Sequence, residues 1–137
     1  MRPDIIPCLR YENAPRAIDF LCEAFGFERH AVFADPDDPT VIHHAQLLWQ
    51  DRMIMVSSAL FTPHAAVAGS KTPTQAGGVT MDLYLVVKDV DAHATQARAG
   101  GATILMEPED KPYGGRGYAA RDPEGHVWSF GSYDPWA

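Results

Sequence analysis

The sequence predicts an α+β fold assembled from two copies of one strand–helix–three-strand unit. Three observations carry this reading. The order β-α-β-β-β can be traced twice along the chain, at a spacing of roughly seventy-five positions. Each helical stretch opens at a side-chain cap, Asn13 or Asp89, and stops at glycine, Gly26 or the Gly100–Gly101 pair. The hydrophobic fraction is 46 % over 137 residues, enough for one core shared by two half-size modules. Module one runs over about 4–58, a linker over 59–78 and module two over about 79–133.

In the first module, DIIPCL over 4–9 reads as a short strand. Pro7 has no N–H for a ladder, which marks an edge, a bulge or a strand that leaves its own subunit. The helix that follows has Pro15 in its first turn, and Ala17, Ile18, Leu21, Cys22 and Phe25 recur at three- and four-residue spacing along one apolar stripe. Three strands follow: His30–Ala34, Val41–Trp49 and Arg52–Ser57, the last two joined at Gln50–Asp51. SALFTPHAAVAGSKTPTQAGG is rich in proline, glycine, serine and threonine and reads as a long functional or mobile loop. The second module offers a strand over Val79–Val87, a helix over Val90–Ala99, a strand over Thr103–Met106, the loop EPEDKPYGG, and a hairpin of Arg116–Arg121 with Val127–Ser132 around DPEG.

The formal charge is −7, which disfavours nucleic acid and anionic membranes, since both are held by clustered Lys and Arg. A cationic ligand is favoured instead. Cys8 and Cys22 fall in different elements and form no CxxC, so both read as buried thiols without a disulfide. The start MRPDIIPC has no apolar stretch of signal-peptide length, and no window reaches the ~20 apolar residues of a membrane span. The expected location is the cytoplasm.

Alternation along strands sorts the side chains into faces. A two-residue turn at Gln50–Asp51 sets Gln46 opposite Met55 and His44 opposite Ser57. The second hairpin is expected to set Tyr118 opposite Ser129 and Arg116 opposite Gly131. Trp128 and Phe130 then take the core face, and Tyr118 with Ser129 the open face. No GxSxG context surrounds a serine, and GGRG does not lead from a strand into a helix, so neither a nucleophile triad nor a dinucleotide loop can be argued.

With APRAIDFLCEAFGFE, KDVDAHATQARAGGA and KPYGGRGYAARDPEGHVWSF in place, the chain from about Ile5 to Phe130 resembles the glyoxalase / bleomycin-resistance / dioxygenase superfamily, the vicinal-oxygen-chelate group. It stands nearest the bleomycin-resistance-like, antibiotic-binding branch, which it resembles in acidic charge, proline-interrupted first strand and K-P-aromatic-G…R-D-P-x-G ending. The resemblance implies two βαβββ modules forming a curved half-barrel pair around a cleft, and a homodimer. Enzymes of the family hold a metal at four cleft positions, which correspond here to Pro7, Met55, Asp82 and Ser129. Proline has no side-chain donor, a thioether suits soft metals, and only Asp82 is a good oxygen ligand. No metal and no cofactor are therefore expected.

The candidate ligand-binding residues are His44, Gln46, Met55, Asp82, Tyr113, Arg116 and Tyr118. His44 is either a cleft group able to move a proton or a hydrogen-bonded strand histidine. Tyr113 either stacks on a planar ligand or folds down over the core. Arg116 binds an acidic ligand group or pairs with a carboxylate, and His126 reads as structural. His30, His64 and His93 are expected to face solvent. The reading that follows is a metal-free binder of a planar aromatic small molecule, such as an antibiotic or other natural product. The alternative is a lyase or isomerase of the same superfamily with an atypical site, either holding an unusual metal set or working by acid–base chemistry through His44 and Asp82.

Overall fold

A computed structural model describes residues 3–60 and 63–137; Phe61 and Thr62 of the linker and the first two residues of the N-terminus lie outside the described residues. The first module comprises β1 (Cys8–Tyr11), α1 (Ala14–Phe20) with a π turn over Leu21–Phe25, β2 (Glu28–Ala34), β3 (Ile42–Trp49) and β4 (Arg52–Ser58). The linker contains two short helices, α2 (Pro63–Ala68) and α3 (Pro73–Ala76). The second module comprises β5 (Leu83–Val86), α4 (Val90–Ala99), β6 (Thr103–Asp110), β7 (Arg116–Arg121) and β8 (Val127–Gly131).

The strands form two four-stranded sheets, ordered β1-β4-β3-β2 and β5-β8-β7-β6. In each, the first strand runs parallel to the last and the other pairings are antiparallel. The α+β class and the doubled βαβββ order stand, but the curved half-barrel pair does not. Neither sheet closes into a barrel or curls strongly. Among the described residues each ends on strands paired along one side only, β1 and β2 in one and β5 and β6 in the other, and no strand pairing joins the two sheets.

Several local expectations are corrected. The first strand begins at Cys8 because Pro7 offers only its carbonyl, which accepts from Met55 N–H at 2.9 Å. The EPED segment is strand, not loop, and continues β6 to Asp110. The linker is partly helical: Thr72 caps α3 through a capping box with Gln75 and is itself buried. Cys8 is exposed, and both cysteines are free thiols.

The second hairpin carries the most consequential correction. Its observed register is Gly117↔Gly131, Tyr118↔Phe130 and Ala119↔Ser129. Asp122 N–H bonds the His126 carbonyl at 2.9 Å and Gly125 N–H bonds the Asp122 carbonyl at 3.1 Å, with Gly125 at φ 97°. The connection therefore has one residue more than a four-residue DPEG turn, and a slip of one residue moves a side chain to the other face. Tyr118 accordingly lies in the core at 2 % exposure. The first hairpin matches its expectation at Gln46↔Met55.

One hydrophobic cluster spans both modules. The π turn of module one presents Phe25 to Trp128 and Phe130 of module two, with ring centroids 5.4 and 4.8 Å apart. Phe27 adds an edge contact to Trp128 at 5.7 Å. His93 on α4 is half-buried here instead of facing solvent. Its Nε2–H donates to the Phe25 carbonyl at 2.8 Å, so Nδ1 accepts from the Tyr118 hydroxyl at 2.6 Å. Its ring lies 4.4 Å from that of Phe130. Burial holds His93 below the ordinary imidazole range.

A polar clamp fixes how the modules meet. Asp122, 3 % exposed, accepts four donors. The Tyr11 hydroxyl reaches Oδ2 at 2.7 Å from β1, and Trp128 Nε1–H reaches the same oxygen at 3.1 Å. Oδ1 accepts the backbone N–H groups of Glu124 and His126 at 3.0 and 3.1 Å. Beside it, the Glu124 carboxylate accepts the N–H groups of Glu12 and Asn13, and His126 Nε2–H donates to the Arg10 carbonyl at 3.0 Å. The hairpin of module two thus holds the β1–α1 corner of module one.

Two outcomes follow from this packing. Asp122→Ala leaves buried donors unpaired on both modules, and hydrogen bonds to a charged group contribute about 1.5–3 kcal/mol each. Urea unfolding should show a loss of about 3 kcal/mol or more; a loss under about 1 kcal/mol would contradict the clamp. For His93, the folded state binds the imidazole proton more weakly than the unfolded chain, so its contribution is full above the ordinary range and lost as pH falls toward the depressed folded value. The urea midpoint should fall between about pH 8 and about pH 5, and His93→Gln should flatten that fall.

Candidate functional site

With Trp128, Phe130, Tyr118, Leu47, Ile54 and Val56 committed to the shared core, the alternate residues of each sheet are left on its outer face. The expected single cleft is resolved into two such faces. His44, Gln46 and Met55 belong to the first sheet; Asp82, Tyr113 and Arg116 gather at the second. Their cavities, of about 350 and 180 Å³, have no lining residue in common among the described residues. His44 and Asp82, the pair expected for acid–base chemistry, are on opposite sides of this division.

The floor of the second-sheet cavity is set by hairpin register. Gly117 faces Gly131 and Ala119 faces Ser129 across β7 and β8, so four small residues form a low platform. Tyr84 of β5 lies over one side of it. A Cβ on Gly131 would come within 2.6 Å of the Tyr84 hydroxyl, so only glycine admits the ring there. The Tyr84 hydroxyl donates to the Tyr133 carbonyl at 2.7 Å, and burial raises it above the ordinary phenol range. Tyr113 and Tyr133 meet edge to face at 5.2 Å, and Met106 completes the apolar wall. Tyr84, Tyr133 and Met106 were not legible as site residues, because their place depends on the register of the second hairpin.

The polar groups of this cavity are mostly committed. Arg116 grips Asp91 with two bonds, Nε to Oδ2 at 2.8 Å and Nη2 to Oδ1 at 3.0 Å, and reaches Asp110 at 3.4 Å. The pairing raises Arg116 and holds the Asp91 carboxyl below its usual range. Lys111 bonds Glu109 at 2.9 Å. Asp82 takes a 3.4 Å bond from the Ser129 hydroxyl and has no cationic partner among the described residues.

On the first sheet, the Gln46 amide donates to His44 Nε2 at 3.1 Å and Phe33 stacks on the imidazole at 6.0 Å. His44 and Met55 line the cavity of that face with Cys8, Arg10 and Ser57, while Gln46 supports His44 from beside it. The family-implied metal positions do not fit a divalent ion: Pro7 and Met55 supply no oxygen or imidazole donor, which leaves Asp82 and Ser129. Among the described residues no three His, Cys, Asp or Glu side chains converge as a ligand set. No helix among them is long and apolar enough to cross a membrane.

Comparison with known proteins agrees with this architecture. An uncharacterised protein of Mycobacterium bovis is 34 % identical over 131 residues, covering 96 % of this chain and 84 % of its own length. The crystal structure of TioX from Micromonospora sp. ML1 is similar at a TM-score of 0.70 and 32 % identity, covering 94 % of each chain. A fosfomycin resistance protein of Listeria monocytogenes shares the fold at a TM-score of 0.68 with 12 % identity, covering 99 % of this chain and 97 % of that one. The profile of the Glyoxalase/Bleomycin resistance protein/Dioxygenase superfamily matches residues 6–130, and the chain belongs to that superfamily.

Proposed function

We propose that this is a binding protein, working without a metal, that holds a planar aromatic small molecule on the outer face of its second sheet. Its place within the superfamily would be nearest the bleomycin-resistance branch, sequestering an antibiotic or similar natural product without turning it over. The observation that carries this reading is the platform of Gly117, Ala119, Ser129 and Gly131 walled by Tyr84, Tyr113, Tyr133 and Met106. A flat floor between aromatic walls accepts a ring system edge-on or stacked, and each stacking contact adds about 0.5–1.5 kcal/mol beyond burial. Asp82, which has no cationic partner among the described residues, favours a cationic or weakly basic ring.

The slot holds about 180 Å³, less than the roughly 300–1,000 Å³ of pockets that enclose a drug-sized ligand. A second copy of the chain would supply the missing wall and cover the free strand edges. Calorimetric titration with a panel of planar aromatic antibiotics tests the reading. At least one basic member should bind, with affinity that falls as salt rises, and Tyr113→Ala should weaken it by on the order of tenfold. Unchanged affinity in both Tyr113→Ala and Met106→Ala would overturn the site. Sedimentation of the same sample should give about twice the 15.0 kDa chain mass.

A further inference from the structure

The first sheet carries a cavity of opposite charge. In a chain with eighteen Asp and Glu against eleven Lys and Arg, the cavity of about 350 Å³ on the first sheet has no acidic lining residue among the described residues. Its polar lining is Arg10, Lys71, His43, His44, His64 and His126, with Ser57 and Ser70. Strand alternation explains why Arg10 is here: Leu9 and Tyr11 enter the core, so Arg10 must leave by the other face, beside Ser57 of β4.

Neither cation in this cavity is neutralised. Five of the chain's other basic side chains, Arg29, Arg52, Arg98, Lys111 and Arg116, are paired with carboxylates. Arg10 and Lys71 have no such partner among the described residues. The acceptor that Arg10 does reach is a ring nitrogen, His64 Nδ1 at 3.3 Å, and not a carboxylate. Asp35 is bound to His43 Nε2 at 2.8 Å, which holds its carboxyl below the usual range, and the Glu12 carboxylate accepts from the Thr72 hydroxyl at 3.3 Å. A half-buried guanidinium without a counter-charge, lining a concave surface, is a site for an anion.

The cavity also has an apolar extension. A second hollow of about 360 Å³ shares Cys8, Leu9, Lys71 and His126 with the first and continues between the linker and β5. Its walls include Pro73, Val79, Met81, Leu83 and Val127. Met81 and Val79 are exposed at 62 % and 39 %, an apolar wall left facing this hollow.

We infer that the first sheet and the linker form a second binding site, for an organic carboxylate with an apolar body. The carboxylate would sit between Arg10 and Lys71 and the body would lie toward Met81 and Val127. One guanidinium and one ammonium match the single charge of a carboxylate, and the apolar extension matches its body. Among the described residues this site shares no lining residue with the aromatic slot on the second sheet.

Calorimetry with 2-naphthoate tests the inference, with 2-naphthalenemethanol as the uncharged control and inorganic phosphate as the competitor without a body. Naphthoate should bind at least tenfold more tightly than the alcohol. Arg10→Gln and Lys71→Gln should each weaken it by about tenfold, the worth of one charge-assisted contact. Arg10→Lys should restore part of the loss, and Met81→Ser should weaken naphthoate as well. Tyr113→Ala should leave it unchanged, which separates this site from the aromatic slot. Equal binding of acid and alcohol, indifference to both charge-removing variants, or no naphthoate binding at millimolar concentration would each overturn the site. Displacement of naphthoate by phosphate at equal concentration would overturn the role given to the apolar body.

Discussion

The structure depends on one buried carboxylate. Asp122 collects a phenol from module one, an indole from β8 and two backbone donors of its own turn. A carboxylate removed from water is tolerated only when its lone pairs are filled, and here the filling requires both modules to be in place. The same turn holds the β1–α1 corner through Glu124 and His126. Tyr11 shows the coupling from the other side: burial and Asp122 together raise its hydroxyl well above the ordinary range, so it stays a donor.

That constraint decides which faces remain for binding. Once Trp128 and Phe130 are drawn toward Asp122 and Phe25, Gly117, Ala119, Ser129 and Gly131 take the opposite face of β7 and β8, where Tyr84 lies over Gly131. Once Tyr11 enters the clamp, Arg10 must leave by the opposite face. The aromatic slot and the cationic cavity are therefore two consequences of one packing arrangement, on two open sheets and with opposite charge.

Much of the fold was legible in the sequence because periodicity and caps act locally. Asn13 and Asp89 cap their helices as their positions suggest, and the Gln50–Asp51 turn sets the first hairpin in register. The site was legible only in part, since it depends on register and on distant partners. One added residue in the DPEG connection moved Tyr118 from the open face to the core, where it bonds His93. No local signal shows that His93 lies beneath Phe25 of the other module, nor that Arg116 is held by Asp91. Sheet curvature came with the family resemblance and not from the residues, and the open sheets correct it.

The division into two independent binding faces is tested most directly by amide chemical-shift mapping with two probes on one sample. A basic planar aromatic should perturb Gly117, Ala119, Ser129 and Gly131, whereas 2-naphthoate should perturb Cys8, Arg10, Met55, Ser57 and Lys71. Two residue sets without overlap are the predicted result. A single set moved by both probes, spanning β4 and β8 together, would contradict it.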